Sequence, residues 1–208
     1  MEKEGMIAVL RAHGISENII DAFTAIDRKE FIPLALKDQA YENKNIPLAA
    51  NAYTSKPSTL ATLLTFIHPQ PNHKVLEIGS GSGFLLALIS HITQGNSFGI
   101  ELLPSLAFSS QTVLKKNPKA AIIHKNGIPG LKNKNPYDRI IVSGSVKEIP
   151  THLLRQLNTN GQLIINSNGK LLKIQKTLFS KKIVAQLEGF YFPPLQIQPI
   201  HSNLSYLV

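Results

Sequence analysis

VLEIGSGSGFLLALIS, residues 75–90, runs apolar into three glycines alternating with serines and then turns apolar again. A short apolar run ending at glycine reads as a strand, and the stretch after it reads as a helix. A strand, a glycine loop and a helix in that order put backbone N–H groups and a helix N-terminus at the carboxyl edge of a sheet, where α/β folds bind ligands. The pattern continues outward from this point. KVLEIG, NSFGIEL, AAIIHKN, DRIIVSG and GQLIINS are short β-branched runs, with helical stretches at 83–93 and 104–116 between the first three. Such alternation predicts βαβ units on a parallel sheet. IPTHLLRQL (149–157) reads as a further helix, with Asn160-Gly161 as its exit turn. LLKIQKTLF and KIVAQLEGFYF follow as two strands separated only by Ser180 to Lys182, a connection too short for a parallel crossover, so they must be antiparallel.

Upstream, apolar residues recur at helical spacing from Lys3 to Ala12 and from Glu17 to Ile26, with Gly14 as a stop and Ser16 placed as an N-cap. Residues 27–57 hold three prolines and little periodicity, and read as irregular structure over the main body. Ser58 to Ile67 predicts a helix, with Pro57 suited to its first turn. One domain suits 208 residues of which 43% are hydrophobic. The absence of cysteine excludes disulfides, thiolate metal sites and a cysteine nucleophile. No run approaches the ~18 apolar residues of a membrane span, so a cytoplasmic protein with no membrane partner is expected. The seven histidines show no metal-ligand spacing, and no metal is assigned. The net charge of +9 raises the prior for an anionic partner, but the lysines are scattered in short groups, and a solvated basic surface is favoured over a nucleic-acid groove.

Spacing decides between nucleotides. A phosphate loop needs Lys and then Ser or Thr where this chain has Phe84 and Leu85, and a dinucleotide loop reads G-x-G-x-x-G. Here Gly79, Gly81 and Gly83 are two apart with Glu77 two residues ahead, and the motif resembles the first motif of S-adenosylmethionine-dependent methyltransferases. Glu101 ends the next strand about 20 residues beyond the loop, where a carboxylate can accept ribose hydroxyls. Asn126-Gly127 ends the third strand in a turn able to close over an adenine. NPYD (135–138) is a near match to an amine-methylating motif, but it precedes its strand and is read as the entry turn.

In order and spacing, GISENIIDAFTAIDRKEFIP, AYENKNIPL, Ser55-Lys56-Pro57, VLEIGSGSGF, IEL, NGIPG, PYDRIIVSG, IPTHLLRQLNTNGQLI and FYFPPL resemble the protein-L-isoaspartate O-methyltransferase family across nearly the whole chain. The resemblance implies an α/β, Rossmann-like doubly wound sheet of seven strands, mostly parallel with an antiparallel C-terminal hairpin. Residues 1–70 would supply N-terminal helices and a substrate-side loop, and residues 71–208 the cofactor-binding core of the same domain. It implies methyl transfer from S-adenosyl-L-methionine to the free carboxylate of L-isoaspartyl residues in damaged proteins or peptides, by a monomer. Ser55 takes the place of the family's active-site serine. Thr54, Glu77, Gly79, Ser80, Gly81, Gly83, Glu101, Leu102, Asn126 and Gly127 are the expected cofactor contacts. The chain departs from the family pattern at Tyr53-Thr54, at Asn126 in place of an acid, in the loop NSNGK and at Phe192-Pro193-Pro194-Leu195. Those departures, with the charge, leave two alternatives: a diverged methyltransferase acting on RNA or another anion, and a non-catalytic family member.

Overall fold

The computed structural model describes residues 1–49 and 52–196. Its centre is a seven-stranded sheet in the order β5-β4-β3-β6-β7-β8-β9. The strands are β3 (Val75–Ile78), β4 (Ser97–Glu101), β5 (Ala120–His124), β6 (Tyr137–Val146), β7 (Leu157–Ser167), β8 (Lys170–Lys176) and β9 (Lys181–Glu188), preceded by a two-stranded pair, β1 (Ile46–Pro47) and β2 (Tyr53–Thr54). β3 to β7 pair in parallel, and β8 and β9 join antiparallel, as expected. The order reverses at β3, which has β4 on one side and β6 on the other, and a cleft opens at such a switch point.

Helices α1 (Lys3–Ala12), α2 (Glu17–Ala25), α3 (Pro57–Ile67), α4 (Phe84–Thr93) and α5 (Pro104–Leu114) share one core with a face of the sheet. α4 is apolar nearly all round, and the fold buries it accordingly between sheet and helices. The Phe84 ring, at the start of α4, meets Phe23 and Phe31 with centroids 5.9 and 5.3 Å apart. This contact ties the N-terminal helices to the glycine loop. The opposite face of the sheet is covered more thinly, by the 127–136 connection and the four-residue helix α6 (Thr151–Leu154).

Three expectations need correction. The helix read at 149–157 forms only over Thr151–Leu154, because Pro150 sits at its N-cap and Leu157 already pairs with Tyr137 in the sheet. Asn160-Gly161 is therefore no exit turn. It lies inside β7, with Asn160 at φ +65°, where the register between β6 and β7 slips. Ser16 holds the N-cap position of α2, but its hydroxyl donates to Asn18 Oδ1 (2.6 Å) instead of capping the backbone.

Candidate active site

The glycine loop connects β3 to α4 in a tight zigzag, with Gly79, Gly81 and Gly83 at φ +78°, +55° and +81°. Side chains are strained in that region, which explains glycine at alternate positions. The loop is pinned to β4 from both sides. Gly79 N–H and Ser80 N–H donate to Ile100 O at 2.8 and 3.1 Å, and Gly81 N–H donates to Glu101 Oε2 at 2.7 Å. The other oxygen of Glu101 accepts from Leu103 N–H at 2.8 Å. Glu101 thus locks the loop while facing the cleft, a role the spacing did not reveal.

Glu77, on β3 below the loop, is 2% exposed. Its Oε1 accepts from the Ser143 hydroxyl at 2.7 Å, whereas its Oε2 is buried without a partner. Burial pushes the carboxyl up to about 8, the Ser143 bond opposes the shift, and the nearby Glu101 charge adds to it. Ser143 reaches Glu77 because β3 and β6 pair in parallel with Glu77 opposite Ile141, and the alternation of a strand puts Ser143 on the same face two residues further on. Only the register of β6 against β3 sets that contact, so the sequence carried no strong signal for Ser143.

Two chambers meet along the glycine loop. The first, about 720 Å³ including space open to solvent, is lined by Gly79, Gly81, Glu101, Leu102 and Gly127, with Ser143 and Leu195 among its other walls. The second contains Thr54, Ser55, Glu77, Ser80 and Phe84. Pro193 borders both. Gly83 and Asn126 line neither chamber. Gly83 starts α4, and a Cβ there would meet Leu114 and Ser110 of α5 at 3.1 and 3.2 Å, so its place is in helix packing. Asn126 Oδ1 accepts from Ile128 N–H at 2.9 Å and shapes the turn beside the first chamber.

Ser55 follows β2 and precedes α3, whose N-cap position belongs to Lys56. Its carbonyl accepts from the fully buried Arg28 guanidinium at 2.8 Å. The same guanidinium holds Ala40 O at 2.6 Å and reaches Glu42 O and Lys44 O at 3.5 and 3.4 Å, so one side chain gathers Ala40, Glu42, Lys44 and Ser55 over Phe84. The closing segment also belongs to the site. Ser145 N–H donates to Pro193 O at 2.8 Å and Leu195 N–H to Ser145 O at 2.9 Å, which lays Leu195 against Gly79 and Gly144.

Residues 1–196 match the family model for protein-L-isoaspartate(D-aspartate) O-methyltransferase. The chain belongs to this family. It is 30% identical over 199 residues to the protein-L-isoaspartate O-methyltransferase of Photobacterium profundum, covering 93% of this chain and 95% of the other. It is 35% identical over 159 residues to that of Aliivibrio fischeri strain MJ11, with 75% and 76% covered. Its fold matches a solved beta-aspartate methyltransferase from Plasmodium falciparum in complex with S-adenosyl-L-homocysteine, with a TM-score of 0.82 at 21% identity over 95% of this chain and 100% of that one. The family's seven-stranded architecture is the one found here.

Proposed function

We propose that this protein methylates the free carboxylate of L-isoaspartyl residues in damaged proteins and peptides, with S-adenosyl-L-methionine as methyl donor, and so begins their repair. The observation that carries the reading is the pair Glu77 and Glu101 converging on the glycine loop, with Glu77 Oε2 buried and unpartnered. Apart from Tyr53, these two acids are the only ionisable groups lining the described chambers. A cleft with carboxyl groups and no lysine or arginine gives a pyrophosphate no cationic partner and fits an adenosyl group that carries positive charge. The same lining disfavours RNA as methyl acceptor, since the basic charge of the chain does not reach the cleft.

Glu101, Leu102, Gly79, Gly81 and Gly127 would hold the adenosyl end, with Asn126 shaping the adenine turn and Gly83 setting the helix behind it. Glu77, Ser80 and Thr54 would face the amino-acid end. Bound there, S-adenosylmethionine supplies an electrophilic methyl group on a sulfonium. The acceptor carboxylate, with an ordinary pKa near ~4, is ionised at neutral pH and needs no general base. Ser55 would donate a hydrogen bond that aims one carboxylate oxygen at the methyl carbon, and its hydroxyl has no protein partner among the described residues. The new C–O bond forms as the S–CH3 bond breaks, so positioning and exclusion of water supply the rate. The test is a radiolabelled methyl-transfer assay on paired peptides. Label should enter the isoaspartyl peptide and not its aspartyl twin, and equal or absent labelling of both would refute the proposal.

A further inference from the structure

Between Glu148 and Glu188 the sequence contains no acidic residue, while Arg155, Lys170, Lys173, Lys176, Lys181 and Lys182 fall within it. The fold concentrates part of that charge at the turn of the β8–β9 hairpin. Lys176 and Lys181 stand directly opposite each other in the last pair, with Lys182 next along the strand. Arg155 lines the same shallow hollow. The Lys176 ammonium is held by Leu157 O at 2.6 Å, whereas Lys181, Lys182 and Arg155 are exposed to solvent. Glu188, which neutralises Lys170 at 3.0 Å, sits at the far end of the hairpin.

The turn between these lysines is braced. Thr177 N–H donates to Ser180 O at 2.8 Å, and Ser180 N–H donates to Thr177 Oγ1 at 2.9 Å. It lifts Leu178 and Phe179 into solvent at 71% and 94% exposure, and Ile183 on the adjoining edge strand is 57% exposed. Large apolar side chains at a stiff tip ringed by cations match a surface with anionic heads over hydrocarbon. The lysines alone would fit any polyanion, whereas Leu178 and Phe179 select lipid.

We propose that the β8–β9 tip docks this protein on anionic phospholipid surfaces, with Leu178 and Phe179 entering the boundary between headgroups and acyl chains and Lys181, Lys182 and Arg155 meeting the phosphates. The docking is peripheral. Among the described residues no helix is long and apolar enough to cross a membrane, and the expectation of no membrane partner rested on the lack of such a segment. The tip leaves β8 beyond its pair with the amino-terminal part of β7, at the end of the sheet opposite the glycine loop, so a docked molecule keeps its cleft open to solvent. The inference stands apart from the proposed methyl transfer.

The test is co-sedimentation with vesicles of phosphatidylcholine alone and of phosphatidylcholine mixed with phosphatidylglycerol, at an ionic strength of about 0.15 M. The protein should bind the mixed vesicles only. The double variant Leu178→Ser, Phe179→Ser should lose about tenfold or more in partitioning, and Lys181→Glu with Lys182→Glu a comparable factor, at roughly fivefold per lysine near an anionic leaflet. Both variants should keep wild-type melting temperature, which shows that the hairpin has not unfolded. Absent binding, equal binding to neutral vesicles, or full binding by the Leu178→Ser, Phe179→Ser variant would overturn the proposal. The last outcome would mark the lysines as a general polyanion site, as for RNA. A dimer abolished by the same apolar substitutions, with no vesicle binding, would assign the tip to a second copy and overturn it equally.

Discussion

Replacing Arg28 by methionine removes the side chain that holds the carbonyls of Ala40, Glu42, Lys44 and Ser55. Arg28 is 0% exposed and donates to Ala40 O and Ser55 O at 2.6 and 2.8 Å, with two longer contacts to Glu42 O and Lys44 O. Burial lowers its guanidinium to about 10, so it remains charged at neutral pH. Each of the two short bonds is charge-assisted and worth ~1.5 to 3 kcal/mol net. Methionine has nearly the same length but leaves both carbonyls dry. The guanidinium's own desolvation cost disappears with it, and a net loss of about 3 to 4 kcal/mol remains. At ~2 to 4 °C per kcal/mol for a chain of this size, the melting temperature should fall by about 10 °C. Arg28→Lys keeps the charge and reaches only one of the short acceptors, so it should lose about half as much. Differential scanning calorimetry measures both variants, and limited proteolysis should show earlier cleavage within 40–55. An Arg28→Met protein melting within about 2 °C of the wild type would refute the claim that these carbonyls depend on Arg28.

Glu101→Gln turns an acceptor into an amide donor facing either Gly81 N–H or Leu103 N–H, and should weaken S-adenosylmethionine binding by ~1 to 3 kcal/mol in isothermal calorimetry. The carboxyl of Glu77 lies at about 8 in the folded chain against an ordinary 4.5, so its contribution to stability is complete below pH 4.5 and is lost as pH rises through 8. Glu77→Gln should flatten the fall in melting temperature over that window, and an unchanged pH profile would count against the raised value. Gly127→Ala would drive a methyl group into Ile78 Cγ2 under the first chamber, and should cost ~1 to 3 kcal/mol in urea unfolding. Ser55→Ala should lower kcat/KM for an isoaspartyl peptide by about tenfold or more while cofactor affinity stays within about twofold, since one hydrogen bond to the carboxylate is lost.

What the sequence disclosed was local. Gly79, Gly81 and Gly83 announce a turn because alternate left-handed residues demand glycine, and Glu101 could be placed from the length of one βα unit. The helices were legible wherever one face is apolar, as in α1, whose limits agree with the reading from spacing. The helix at 149–157 was overestimated because helical spacing cannot show that Leu157 gains a strand partner in Tyr137. Ser143 and Leu195 escaped notice for a similar reason. Each enters the site through a non-local event, the pairing of β6 with β3 or the return of the final segment across β6. Arg28, in the charged run DRKEF, resembles any surface residue until carbonyls from four other positions converge on it.

The strap from Pro193 to Leu195 fixes an order of assembly. A chain emerging from the ribosome has its glycine loop, Glu77 and Glu101 early, yet the wall over Gly79 and Gly144 belongs to nearly the last described residues to be made. The pocket is therefore finished after the sheet that carries it, and nascent or C-terminally clipped chains that stop short of Pro193 would carry an open half-site.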